Sequence, residues 1–147
     1  MATDSRMIRS FKCFENLSKS QIEAVAEISN SVCYSPGHVL FRQGETGKYL
    51  YLLVDGDVEV LFQETATGQH QVDTVSCEDL VGCAALVPPY TYTATQKCLS
   101  EVEVLEIETE ALRDLIEKDP QIGLSMQEYI IQRLNDRVLN LRQRVLA

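Results

Sequence analysis

No stretch of the 147 residues is long and apolar enough to span a bilayer. The first thirteen residues place Asp4, Arg6, Arg9 and Lys12 where a signal peptide would need an unbroken apolar run. The expectation is a soluble, cytoplasmic protein. Basic charge is also scarce: 13 Lys and Arg stand against 22 Asp and Glu, a formal net charge of −9. Phosphate backbones attract basic surfaces, so a direct nucleic-acid partner is not expected. A small anion can still be held by backbone N–H groups in an acidic protein. The cysteines (Cys13, Cys33, Cys77, Cys83 and Cys98) are odd in number and contain no C-x-x-C, so neither a disulfide framework nor a zinc knuckle is signalled. Reduced, mostly buried thiols are expected. A Ser/His/Asp set, metal-ligand spacing and a Walker loop are missing as well, and His38 and His70 read as surface residues. These absences exclude the common enzyme signatures.

What is present reads as one domain over residues 1–147, with a hydrophobic fraction of 45%. Ser18 can cap a helix with Gln21 completing a capping box, and Leu17 can staple to Ile22. Ile22, Val25 and Ala26 give that helix its apolar stripe. The period then shortens. Strands are expected at 32–34, 39–42, 49–54, 57–62, near 71–75, at 91–98 and at 102–107, with Asp55-Gly56 as a hairpin turn and a polar loop through Gly68. Many short strands at regular spacing predict a small barrel or sandwich. Thr109 is positioned to cap a helix, and Asp119-Pro120 breaks it and starts another. Leu124, Ile131, Leu134, Val138, Leu141 and Val145 form an apolar seam on that last helix, with Gln127 at its one polar position and Arg133, Asp136, Arg137, Arg142 and Arg144 beside it. The architecture is therefore mainly β with flanking α: a helix and β-roll over about 11–108 and C-terminal helices over 109–147.

The run Pro36-Gly37, Val39-Leu40-Phe41-Arg42-Gln43-Gly44-Glu45, Gly47, Leu50-Tyr51 and Asp55-Gly56-Asp57-Val58-Glu59-Val60 resembles the cyclic nucleotide-binding domain family. Val81-Gly82-Cys83-Ala84-Ala85-Leu86 resembles the opening of that family's phosphate-binding cassette, and Val102–Ile107 the strand after it. The likeness runs from about Phe11 to Arg137. It implies a jelly-roll sensor with a long C-terminal helix that signals or forms a homodimer seam over 124–145, the other reading of that stripe being that it packs back on the chain's own barrel. Gly37, Gly44, Gly47 and Gly56 are expected to supply φ > 0 at turns.

The resemblance assigns the ligand site to Val81, Gly82, Cys83, Ala84, Ala85, Tyr92, Thr93 and Ala94. Gly82 would let the backbone approach a ligand, and a short helix after it would offer its N–H groups to a cyclic phosphate. The family's ribose-binding Glu is replaced by Cys83 and its phosphate-binding Arg by Tyr92. A one-residue slip would bring Thr91 or Thr93 instead, and neither is basic. Between Cys83 and Cys98 the one cation is Lys97. Thr93 falls where guanine-preferring members carry Thr, although Thr also simply suits a strand. Thr91, Thr93 and Thr95 would share one strand face, with Tyr90, Tyr92 and Ala94 on the other. Cys83 has two readings, a small hydrophobe or a redox-active thiol with its pKa lowered at a helix N-terminus. The implied function is a non-catalytic sensor that binds cyclic AMP or cyclic GMP weakly, or takes another small anionic effector, and acts through a protein partner. A ligand-free dimerisation or docking module, its pocket filled by Tyr92, is the alternative.

Overall fold

The computed structural model describes residues 3–64, 68–75 and 79–147. The middle of the polar loop expected before Gly68, and Cys77 among the expected thiols, lie outside the described residues. Helices α1 (Ser5–Arg9) and α2 (Lys19–Glu27) precede eight strands: β1 Ser29–Tyr34, β2 Val39–Phe41, β3 Tyr49–Asp55, β4 Val58–Glu64, β5 Gly68–Val75, β6 Asp79–Val81, β7 Thr95–Cys98 and β8 Val102–Glu108. Helices α3 (Thr109–Lys118) and α4 (Pro120–Leu146) end the chain. The capping box at Ser18 and Gln21 forms as the sequence predicts.

The strands make two four-stranded antiparallel sheets, ordered β1-β8-β3-β6 and β2-β7-β4-β5. This is the jelly-roll arrangement. It corrects one local expectation. Asp55-Gly56 does not close a hairpin, because β3 and β4 belong to different sheets. Of these two residues only Gly56 takes positive φ, at +96°, and it turns the chain from one sheet to the other beneath the Glu101 carbonyl. Local turn chemistry cannot distinguish a hairpin from a corner between sheets.

Strand β3 is apolar from Leu50 to Val54 and buried from Leu50 to Leu53, where both of its faces are covered. Leu50 and Leu52 join Leu105 and Ile107 under the helices, while Tyr51 and Leu53 face the space between the sheets with Val58, Val102 and Val104. The helical side is filled by Ile8, Phe11 and Phe14 from the N-terminal segment, whose helix α1 the sequence pattern does not reveal. Two caps differ from expectation. Thr109 lies inside α3, and its hydroxyl donates to the Gly47 carbonyl at 2.8 Å instead of capping. Asp119 precedes α4, but its carboxylate accepts from the Gln21 amide at 3.0 and 3.2 Å, tying the α3–α4 corner to α2.

Helix α4 carries two apolar faces. Ile122, Gly123 and Met126 are buried, with Tyr129 and Ile130 packed against the core. Gly123 is required there, since a Cβ would lie 2.7 Å from Ile116 Cγ2. The expected seam is a different face: Ile131, Leu134, Val138, Leu141 and Val145 are 44–83% exposed. Among the described residues no helix is long and apolar enough to cross a membrane. Cys13 and Cys98 are buried, but Cys33 is exposed on β1.

Candidate functional site

A cleft of about 740 Å³ lies between the inner wall of the β2-β7-β4-β5 sheet, the segment after β6, and helices α3 and α4. Its floor is apolar: Phe41, Val60, Leu86, Met126 and Ile130 line it. Of the residues the resemblance assigns to the ligand site, Gly82, Cys83, Ala84, Tyr92, Thr93 and Ala94 line it too. Val81 and Ala85 do not. Both are buried behind it in the core between the sheets.

Gly82 has φ +89° and precedes one 3₁₀ turn, Cys83–Leu86, in place of an α-helix. The Ala85 N–H is already engaged by the Gly82 carbonyl at 3.1 Å. The open side of Gly82 is covered by aromatic rings: a Cβ would stand 3.1 Å from Tyr92 Cε1 and 3.4 Å from Phe41 Cε2. Gly47 is needed for a related reason. Its φ is not positive, contrary to expectation, but a Cβ would overlap Ala85 Cβ at 2.3 Å. The turn is thus pressed against the loop before β3.

Tyr92 points inward and is fixed there. Its ring stacks on Phe41 with centroids 3.7 Å apart and an interplanar angle of 14°. Its hydroxyl donates to the Tyr49 carbonyl at 2.6 Å and accepts from the Tyr49 N–H at 3.1 Å. Its main chain bonds to Gly44 and Glu45. Burial pushes the phenol above its ordinary value, so it is neutral. The segment 91–94 is not strand apart from a single bridge, Thr46 with Thr91. The expected alternation therefore fails: Tyr92 and Thr95 are buried while Thr93 is exposed, and Thr95 accepts from the Gln43 N–H at 2.9 Å. Hydrogen bonds of this segment to the 43–49 loop replace the ladder.

The Cys83 thiol is pushed up to about 11, chiefly by burial and then by the Asp79 carboxylate. That is the reverse of helix-terminus activation. The thiol stays protonated at neutral pH, a poor acceptor and a poor nucleophile.

The pattern reading misses the cations of this site, because they arrive on helices distant in sequence. Arg113, Arg133 and Arg137 all line the cleft. Arg113 donates to the Ala85 carbonyl at 3.2 Å and lies over the Tyr90 ring at 4.7 Å. Asp79, at the start of β6, accepts from Arg133 at 2.5 Å, from Tyr129 at 3.1 Å and from the Leu80 N–H at 2.8 Å. Arg137 approaches Asp73 at 3.9 Å. Tyr129, Arg133 and Arg137 are four apart and so share one helical face. That spacing is visible in the sequence, but it is overshadowed by the neighbouring apolar seam. On the sheet wall, Gln96 Oε1 is buried without a hydrogen-bond partner among the described residues.

The cyclic nucleotide-binding domain model matches residues 31–119. The chain is 24% identical over 121 residues to a CRP-like cAMP-activated global transcriptional regulator of Mycobacterium tuberculosis, covering 82% of this chain and 54% of that protein. It is 31% identical over 105 residues to the cGMP-dependent protein kinase egl-4 of Caenorhabditis elegans, covering 70% and 14%. The chain thus spans about half the length of the first relative and a small part of the second. In fold it is similar to a cyclic nucleotide-binding domain from Methylobacillus flagellatus, with a TM-score of 0.80 and 18% identity over 96% of this chain and 79% of that one. The roll of eight strands among the described residues, the glycine turn at 82 and the match over residues 31–119 agree: the chain belongs to the cyclic nucleotide-binding domain family.

Proposed function

We propose that this chain is a non-catalytic sensor domain that binds cyclic AMP and cyclic GMP weakly or not at all and responds to another small effector in the cleft. The observation that supports this reading is Tyr92, which the resemblance sets at the family's arginine position: it is a neutral ring held by Phe41 and by the Tyr49 main chain. It offers no charge to a phosphate, and its hydroxyl is already committed. At the position the resemblance gives to the family's glutamate, the protonated Cys83 thiol is no substitute for a carboxylate acceptor. Hydrogen bonds to charged groups contribute about 1.5–3 kcal/mol each, so losing both partners weakens a nucleotide by about a thousandfold. The cleft itself remains open and largely apolar, which favours a sensor over a filled docking module.

The effector would signal through α4, which closes one side of the cleft and continues into the exposed seam. We read that seam as the contact of a parallel homodimer, through which a protein partner is controlled. Isothermal titration of the protein with cyclic AMP and cyclic GMP tests the ligand assignment. Dissociation constants in the millimolar range or no heat are expected, and micromolar binding of either nucleotide would overturn it.

A further inference from the structure

The charges around the cleft do not stand where a cassette would put them. Among the described residues the lining carries three guanidiniums (Arg113, Arg133 and Arg137) and two carboxylates (Asp79 and Glu117). Over the lining alone these leave one positive charge, which Asp73 beside Arg137 offsets until an anion takes its place. None of the three guanidiniums comes from the segment between Gly82 and β7. Two come from α4, four residues apart on one face.

Their present engagements differ. Arg113 holds the Ala85 carbonyl and covers Tyr90, which makes it part of the wall. Arg133 is bound tightly by Asp79. Arg137 meets Asp73 only at 3.9 Å, beyond hydrogen-bond length, and both side chains are partly exposed. A guanidinium presents five N–H donors in a planar fork suited to an oxyanion, so Arg137 loses little by exchanging so loose a partner.

We propose that Arg137, assisted by Arg133, is the anion-binding end of this cleft, and that the effector is an amphipathic monoanion: a carboxylate or sulfonate on an undivided aromatic or aliphatic body. The proposal rests on reading the cleft as the effector site. The apolar floor of Phe41, Val60, Met126 and Ile130 takes the body. Asp79 and Glu117 repel a second negative charge, which disfavours phosphate monoesters and dicarboxylates. A ribose would find no carboxylate acceptor at Cys83. Because Arg133 and Arg137 also tie α4 to Asp79 and Asp73, an anion that engages them changes the attachment of the signalling helix directly. Recognition of charge and movement of α4 then become one event.

The test uses the full chain and two fluorescent probes, the monoanion 8-anilinonaphthalene-1-sulfonate and its uncharged relative N-phenyl-1-naphthylamine, with cooperative thermal melting confirming that each variant is folded. Wild type should bind both at one site. Arg137→Met should weaken the sulfonate at least tenfold and leave the neutral probe unchanged, Arg137→Lys should restore most of the loss, and Ala84→Phe should block both probes by filling the cleft. If Arg137→Met binds the sulfonate as tightly as wild type while Ala84→Phe still blocks it, the anion assignment fails and the cleft reading stands. If Ala84→Phe blocks neither probe, or wild type binds neither, the cleft is not the site and both readings fail.

Discussion

Tyr92 fastens the segment before β7 to the start of β3. Its hydroxyl closes a loop with both main-chain groups of Tyr49, where β3 begins. Removing that oxygen leaves an N–H and a C=O short of a partner at the edge of the core. Tyr92→Phe should therefore cost about 1–2 kcal/mol in urea unfolding with an unchanged slope, and an unshifted midpoint would show that the hydroxyl holds nothing. Cys83 makes a different kind of prediction. Its thiol is raised from an ordinary value of 9.0 to about 11 in the fold. A raised thiol binds its proton more tightly when folded, so the advantage is complete below pH 9 and is lost as pH climbs toward 11. Wild-type stability should fall across that window, and Cys83→Ala should fall less steeply. Equal slopes would mean that the thiol is not desolvated. The same shift keeps Cys83 nearly unreactive toward iodoacetamide at neutral pH, while the exposed Cys33 is alkylated ahead of it.

Helix α4 is amphipathic twice over, with one apolar face in the core and another exposed. Ile122, Gly123 and Met126 anchor its first turns to the core. The seam from Ile131 to Val145 faces outward, with Leu141 at 56% and Val145 at 83% exposed. A helix that leaves such a row in water gains by pairing it with a second copy. Sedimentation should find a dimer in wild type and a monomer for Leu141→Glu at the same concentration, with the melting temperature of the roll little changed in the dissociated protein. A wild-type mass that stays monomeric at every concentration would remove the dimer reading. The seam was legible in the sequence because heptad spacing survives where nothing else competes for those residues. The anchoring face was not, since Ile122 and Met126 share their window with Leu124 and the period alone does not say which row meets the core.

At the scale of the molecule, the sequence announces the strands of the roll far better than their partnership. Alternation and turn residues place β3, β4 and β8 closely, and the glycines identify the family. Sheet membership depends on pairings as distant as Ser29 with Ile107, which no local pattern encodes. The site divides in the same way. Gly82, Cys83 and Tyr92 were readable from their order in the chain, whereas Arg113, Asp79, Arg133 and Arg137 meet only after α3 and α4 fold back over the cleft. Asp79 is the residue that joins the two halves, accepting from Tyr129 and Arg133 of α4 while its own strand leads into Gly82. Asp79→Asn keeps the size and one carbonyl oxygen but removes the charge that Arg133 answers. The first part of α4, buried at Ile122 and Met126, should stay protected. Amide exchange over 127–137 should quicken by about tenfold, the equivalent of roughly 1.4 kcal/mol of lost attachment, while exchange in β3 and β8 is unchanged. Unaltered exchange in that segment would show that α4 is held by its apolar anchor alone, and that a ligand competing for its arginines could not move it.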